Sequence, residues 1–199
     1  MKIINQKHLI LTDIDGVCLF WEEHFHRWMQ HKGHAQQKNG VYDIHRMYSM
    51  SKDEGERLSR EFCNSSWIAF CPPYRDARSG IATLVEKGYK FVGITSLSDD
   101  PYTKELRWKN LIDVFGPDAF EDLYCLDPTV SKKHALESWR DTGTWWIEDL
   151  PANAQLGAEM GLKTLIVDHP YNRDVNDPRI TRVADWKDIV KHITDHDGT

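Results

Sequence analysis

The chain has 199 residues, a formal net charge of −6 and a pI near 5.9. That acidic balance argues against a protein that tracks a nucleic-acid backbone, so no nucleic-acid polymer is expected as a partner. Hydrophobic content of 40% and charged content of 28% suit a soluble globular chain with one substantial core and room for a small inserted module.

Residues 9–11 (LIL) form a short apolar run, the pattern of a strand buried on both faces of a parallel sheet. The run is broken at once by Asp13, unlike a signal peptide, and no apolar run approaches the roughly 20 residues that span a bilayer, so no membrane is expected. Thr12, Asp13, Ile14, Asp15 and Gly16 follow, and the glycine lets the chain turn sharply. Two carboxylates two residues apart at a buried strand end are costly unless a hard cation compensates them. A calcium loop would continue with more oxygen ligands, whereas Val17, Cys18, Leu19, Phe20 and Trp21 come next.

From Glu22 the sequence turns rich in His, Trp and charge, and Phe25, Trp28 and Met29 fall at helical spacing ahead of Gly33. Ser51 and Glu54 make a capping box for a second helix over residues 52–62. No strand is expected between residues 20 and 73. His24, His26, His31 and His34 lack a Cys or carboxylate at ligand spacing and read as the polar face of a helix, not a zinc site. The cysteines Cys18, Cys63, Cys71 and Cys125 are dispersed and fit reduced thiols in a cytoplasm.

Cys71, Pro72 and Pro73 end this stretch, and residues 76–87 read as a helix capped by Gly88. Residues 89–94 form a buried strand that delivers Thr95 and Ser96 at its carboxyl end, although hydroxyl residues also end strands as plain turn formers. Asp100 and Pro101 open a helix expected to bury Leu106, Leu111 and Ile112, and Gly116 breaks it. After a strand over 122–126, a helix is expected to carry Ala135, Leu136 and Trp139. Lys132 and Lys133 lie at its start, where the helix dipole disfavours cations, so an anion nearby or plain surface would explain them. A strand over 144–147 runs into Glu148, Asp149, Leu150 and Pro151, and Asn153 is expected to order that loop. Residues 163–167 give a fifth strand, Trp186, Ile189, Val190 and Ile193 a closing helix, and TDHDGT a frayed tail.

Strands alternate with helices, which gives an open parallel sheet with ligands beyond the strands' carboxyl ends. The order of the stations, Asp13-x-Asp15-Gly16-Val17, then Thr95-Ser96, then a lysine, then Glu148-Asp149, resembles the haloacid dehalogenase superfamily of phosphatases. The resemblance implies an α/β Rossmann-like core (1–19 and 74–199) with a small helical cap (20–73) between the first and second motifs. By the same resemblance Asp13 is the nucleophile and Asp15 the general acid and base. Thr95, Ser96 and Lys132 bind the phosphate, and Lys132 is preferred to Lys133 on spacing. Magnesium is held by Asp13, the backbone carbonyl of Asp15 and Asp149, with Glu148 more doubtful because many relatives have two Asp here. The aromatic-Glu pair Trp21-Glu22, Thr95-Ser96 and the acidic pair before Leu-Pro further resemble the 5′(3′)-deoxyribonucleotidase branch. That branch implies a nucleoside monophosphate substrate with its base stacked on Trp21, whose alternative role is packing between cap and core. Another small phosphorylated metabolite such as a sugar phosphate, and a catalytically silent binding protein, stay open as alternatives. A homodimer is also left open.

Overall fold

A computed structural model describes residues 8–198 of the protein. In chain order the elements are β1 (Leu9–Thr12), α1 (Trp21–His31), α2 (Ile44–Met47), α3 (Lys52–Cys63), α4 (Ala77–Glu86) and β2 (Lys90–Ser96). They continue with α5 (Pro101–Phe115), β3 (Phe120–Leu126), α6 (Lys133–Leu136), β4 (Trp145–Glu148), α7 (Pro151–Glu159), β5 (Lys163–Val167), β6 (Ile180–Val183) and α8 (Trp186–Asp197). The six strands form one sheet in the order β3-β2-β1-β4-β5-β6, parallel throughout. This is the expected α/β architecture.

β1 is buried along its whole length because side chains leave it alternately to two apolar layers. Leu9 and Leu11 join Val92, Ile94, Leu136 and Trp146 on one side, and Ile10 joins the larger core on the other. Strand order runs one way from β1 through β2 and the other way from β1 through β4. β1 is therefore the switch point, and a crevice opens at the carboxyl ends there.

Beyond the end of β1, Leu19 and Pro73 pair as an isolated antiparallel bridge at the two ends of the helical segment. Phe20 N–H donates to Pro72 carbonyl and Tyr74 N–H to Cys18 carbonyl, both at 2.8 Å, so exit and re-entry are tied side by side. Between them lie α1, α2, α3 and a 3-10 turn (Ser66–Phe70), without a strand, as expected. Phe25, Trp28 and Phe62 interlock there, with ring centroids 5.3–5.9 Å apart.

Several local expectations need correction. The histidines are not simply a polar face, because His24 is buried and its Nε2 lies 3.0 Å from the Trp67 carbonyl oxygen. Of the capping box, Ser51 accepts from Glu54 N–H, but the Glu54 carboxylate pairs with Arg57. α5 buries Thr103, Arg107, Asn110 and Leu111, whereas Ile112 is exposed. α6 is one turn, continued by a 3-10 turn (Glu137–Trp139). The edge strand β6 was not foreseen. The described part of the expected frayed tail is helical: α8 runs to Asp197, whose Oδ2 accepts from Tyr89 hydroxyl at 2.8 Å and Trp145 Nε1 at 3.2 Å, and Thr199 lies outside the described residues.

Candidate active site

The site begins where β1 ends. Asp13 N–H still follows the sheet and donates to Ile147 carbonyl at 2.8 Å. The chain then folds on itself, with Cys18 and Leu19 N–H both donating to Ile14 carbonyl. Gly16 takes a φ of 83°, and a Cβ there would stand 2.3 Å from Asp149 Oδ2. Only glycine meets both demands. This turn aims Asp13 and Asp15 into a cavity of about 410 Å³.

Lys132, fully buried at the start of α6, closes one side. Its ammonium lies 2.9 Å from Asp13 Oδ1 and 2.6 Å from Glu148 Oε1. Asp13 Oδ1 also accepts Ile14 N–H at 2.7 Å. Glu148 is saturated: its Oε2 accepts the N–H groups of Asp149 and Leu150, each at 2.7 Å, and Oε1 accepts Asn153 Nδ2 at 2.9 Å. Asn153 thus orders this loop as expected. Asp149 Oδ2 accepts the Tyr171 hydroxyl, while its buried Oδ1 has no hydrogen-bond partner among the described residues.

Asp15 stands apart from this group. Its Oδ1 accepts from Arg107 at 2.8 Å and its Oδ2 from Thr95 hydroxyl at 3.1 Å. Arg107 is completely buried on α5 and also touches Asn110 Oδ1 at 3.2 Å.

The structure brings every sequence-predicted site residue to one cavity: Asp13, Asp15, Trp21, Thr95, Ser96, Lys132 and Asp149 all line it. Lys133 is exposed and makes no part of the lining. Trp21 stacks on Phe25 (4.8 Å, 10°) and meets Phe62 edge-on, so it both packs the helical segment and forms cavity wall.

The electrostatics are uneven. Burial, with the charges of Glu148 and Asp15, pushes the Asp13 carboxyl up to about 8 against the pull of Lys132. Burial, Glu148 and Asp13 raise Asp149 well above its ordinary value. Burial works against the Glu148 charge too, but Lys132 and two backbone donors hold its carboxyl below the usual range. Asp15 is raised by burial, with Arg107 and Thr95 opposing.

No family profile matches the chain. Among curated proteins it is 26% identical over 193 residues to an uncharacterised 32.4 kDa protein of Enterobacteria phage T4, covering 92% of this chain and 68% of that one. It is 23% identical over 188 residues to a protein named "Putative nucleotidase" in Oceanobacillus iheyensis, covering 90% and 96%. Among solved structures, a "predicted phosphatase" of Clostridium acetobutylicum superposes with a TM-score of 0.62 at 14% identity, over 94% and 98% of the two chains. A HAD family hydrolase of Deinococcus radiodurans follows with 0.56 at 14%, over 96% of each chain. The D,D-heptose 1,7-bisphosphate phosphatase of B. bronchiseptica, solved with magnesium and phosphate, gives 0.57 at 13%, over 94% and 98%.

The chain has the haloacid dehalogenase fold.

Within this fold two site residues escaped the sequence reading. Arg107 sits in a run, Leu106-Arg107-Trp108-Lys109, that reads as helix surface. The available signal was the polar stripe Thr103, Arg107, Asn110 at helical spacing. Tyr171 follows β5 in a 3-10 turn (Pro170–Asn172) with no motif of its own, held in a stack with His169 (4.8 Å, 19°).

Asp13, Glu148 and Asp149 place ligand oxygens within 4.8 Å of one another. Glu148 has spent its oxygens on Lys132, Asn153 and backbone donors. Asp149 has not, and its partnerless Oδ1 beside a single shared ammonium is the donor set that a hard divalent cation suits. The Asp15 side chain is committed to Arg107 and Thr95, which leaves only its backbone carbonyl for such an ion.

Proposed function

We propose that this protein is a magnesium-dependent phosphatase that hydrolyses small phosphate monoesters, with nucleoside monophosphates as its substrate class. The observation that carries the reading is the contrast between Asp13 and Asp15. Two carboxylates two residues apart face one cavity, one among acids and a shared lysine, the other neutralised by its own arginine. Residues 20–73 act as a helical cap over a core of 1–19 and 74–199.

Asp13 attacks phosphorus and forms an aspartyl-phosphate while Asp15 gives a proton to the leaving oxygen. Asp15 then takes a proton from the water that hydrolyses this intermediate. Lys132 offsets the charge of Asp13 and the transferring oxygens, and Thr95 and Ser96 orient them. Magnesium, held by Asp13, Asp149 and the Asp15 carbonyl, would lower the repulsion between the carboxylate and an anionic phosphate.

Two observations support a nucleotide. One relative carries the name of a nucleotidase, and Trp21 offers an aromatic wall to the cavity that Asp13 and Asp15 also line. Stacking a base on such a ring is worth about 1–3 kcal/mol. The cavity lies within the roughly 300–1,000 Å³ of small-ligand sites. Reduced thiols at all four free cysteines suit a cytoplasmic setting. A sugar phosphate is the second reading, since a structural neighbour is a heptose bisphosphate phosphatase.

The test is phosphate release from ribo- and deoxyribonucleoside monophosphates and sugar phosphates, with magnesium, with EDTA and with Asp13→Asn. Deoxynucleotides leading, with both controls silent, upholds the proposal. Sugar phosphates leading keeps the phosphatase and overturns the substrate, and no turnover overturns the enzyme.

A further inference from the structure

We propose that Arg107 is the positioning residue of the proton-transfer half of the site, anchoring Asp15 by Oδ1 so that Oδ2 is the oxygen that carries the proton. The inference rests on the phosphatase reading and adds to it a residue outside the sequence motifs.

Arg107 is wholly inside the protein, 92 positions from Asp15, and Asp15 is its carboxylate partner at 2.8 Å. A buried guanidinium is expensive to desolvate, and an apolar side chain of similar volume serves a core as well or better. The fold alone therefore gives α5 no reason to bury an arginine. The surroundings show a fixed clamp: Asn110 Oδ1 accepts from Arg107 at 3.2 Å, and Asn110 Nδ2 is itself pinned to Cys71 carbonyl at 3.0 Å. Among the described residues Arg107 Nε has no hydrogen-bond partner, and the two Nη atoms are spent on Asp15 and Asn110. Cys71 adjoins the Pro72–Pro73 re-entry point, so the clamp is braced where the chain returns from the helical segment.

The two oxygens of Asp15 consequently differ. Oδ1 accepts from a permanent cation, which can take up no proton and does not leave. Oδ2 faces the Thr95 hydroxyl, a neutral group that rotates freely about its C–O bond and turns to a phosphoryl oxygen when substrate enters. Oδ2 is then free toward the leaving group. As the Asp13–phosphorus bond forms and the ester P–O bond breaks, the Oδ2 proton passes to the leaving oxygen. In the second step Oδ2 recovers a proton from the attacking water as the Asp13–phosphorus bond breaks.

In the first step, which kcat/KM reports because release of the leaving group commits the enzyme, a positioned acid matters only when the leaving group needs a proton. Arg107→Met is therefore compared with wild type on an alkyl ester, a deoxynucleoside 5′-monophosphate, and on p-nitrophenyl phosphate, whose phenolate leaves unprotonated. The expected result is a loss of about 10²-fold on the alkyl ester and a few-fold at most on the aryl ester, matching general-acid removal. Arg107→Lys should recover part of the alkyl rate, and Asp15→Asn combined with Arg107→Met should cost no more than Asp15→Asn alone. Equal losses on both esters, or none, overturn the assignment. If Arg107→Met does not fold, Asn110→Ala, which keeps the arginine but loosens it, must move the same ratio in the same direction by less. A wild type that cleaves neither ester overturns the phosphatase reading as well, which separates that failure from an unchanged ratio.

Discussion

Two buried cations divide the site. Lys132 serves Asp13 and Glu148 and faces Asp149 as a third acid, whereas Arg107 serves Asp15 alone. The Asp15 half is electrically balanced as it stands. The Asp13 half is short of positive charge, and the raised carboxyls of Asp13 and Asp149 express that shortage. One half is balanced by the polypeptide; the other carries an excess of negative charge that a bound cation would relieve.

The largest expected effect breaks the Asp13 half outright. Asp13→Asn should lower turnover at least about 10⁴-fold, the order seen when a catalytic nucleophile is removed, measured as phosphate release. Lys132→Met comes next. It strands two buried carboxylates and should cost about 3–5 kcal/mol in urea unfolding, as for other broken buried pairs. Arg107→Met strands only the partly accessible Asp15 and should cost less.

A third test sharpens the charge shortage. The Asp13 carboxyl stands at about 8 against an ordinary 3.8, so between those pH values the folded chain keeps a proton that the unfolded chain has lost. Metal-free protein should therefore lose stability as pH rises from about 4 to about 8. Asp149 acts in the same direction, whereas Glu148, held below its ordinary 4.5, changes stability only at the acid end, below about 4.5. Magnesium at 100 times its dissociation constant should add about 2.7 kcal/mol near neutral pH. The gain should vanish in Asp149→Asn and persist in Arg107→Met, as read by thermal melts. The smallest effect is that of Tyr171→Phe. It frees Asp149 Oδ2 and should weaken magnesium binding about 10–100-fold by calorimetry, the usual cost of losing a partner of a ligand.

A different division explains what the sequence disclosed. Strand ends were readable, because an apolar run stopping in acids or hydroxyls is a local pattern, so Asp13, Asp15, Thr95 and Asp149 were all legible. Lys132 and Lys133 stood out together because cations at a helix start are out of place, and spacing to the next acidic pair favoured Lys132. Arg107 and Tyr171 were missed because their reason for being buried lies in other elements. A charged residue beside Trp108 and Lys109 looks like surface until Asp15 is placed opposite it. β6 escaped for a related reason: Ile-Thr-Arg-Val at a sheet edge is only half-buried and has no continuous apolar run. The end of α8 looked frayed because Tyr89 and Trp145, which hold Asp197, are far away in sequence.

The place of β1 in the sheet has a consequence for synthesis. The strand that presents Asp13 leaves the ribosome long before either of its neighbours, β2 at residue 90 and β4 at residue 145. Until residue 149 has emerged, the nascent chain has one wall of its crevice and lacks Asp149. Asp13 and Asp15 are made early and meet Asp149 late.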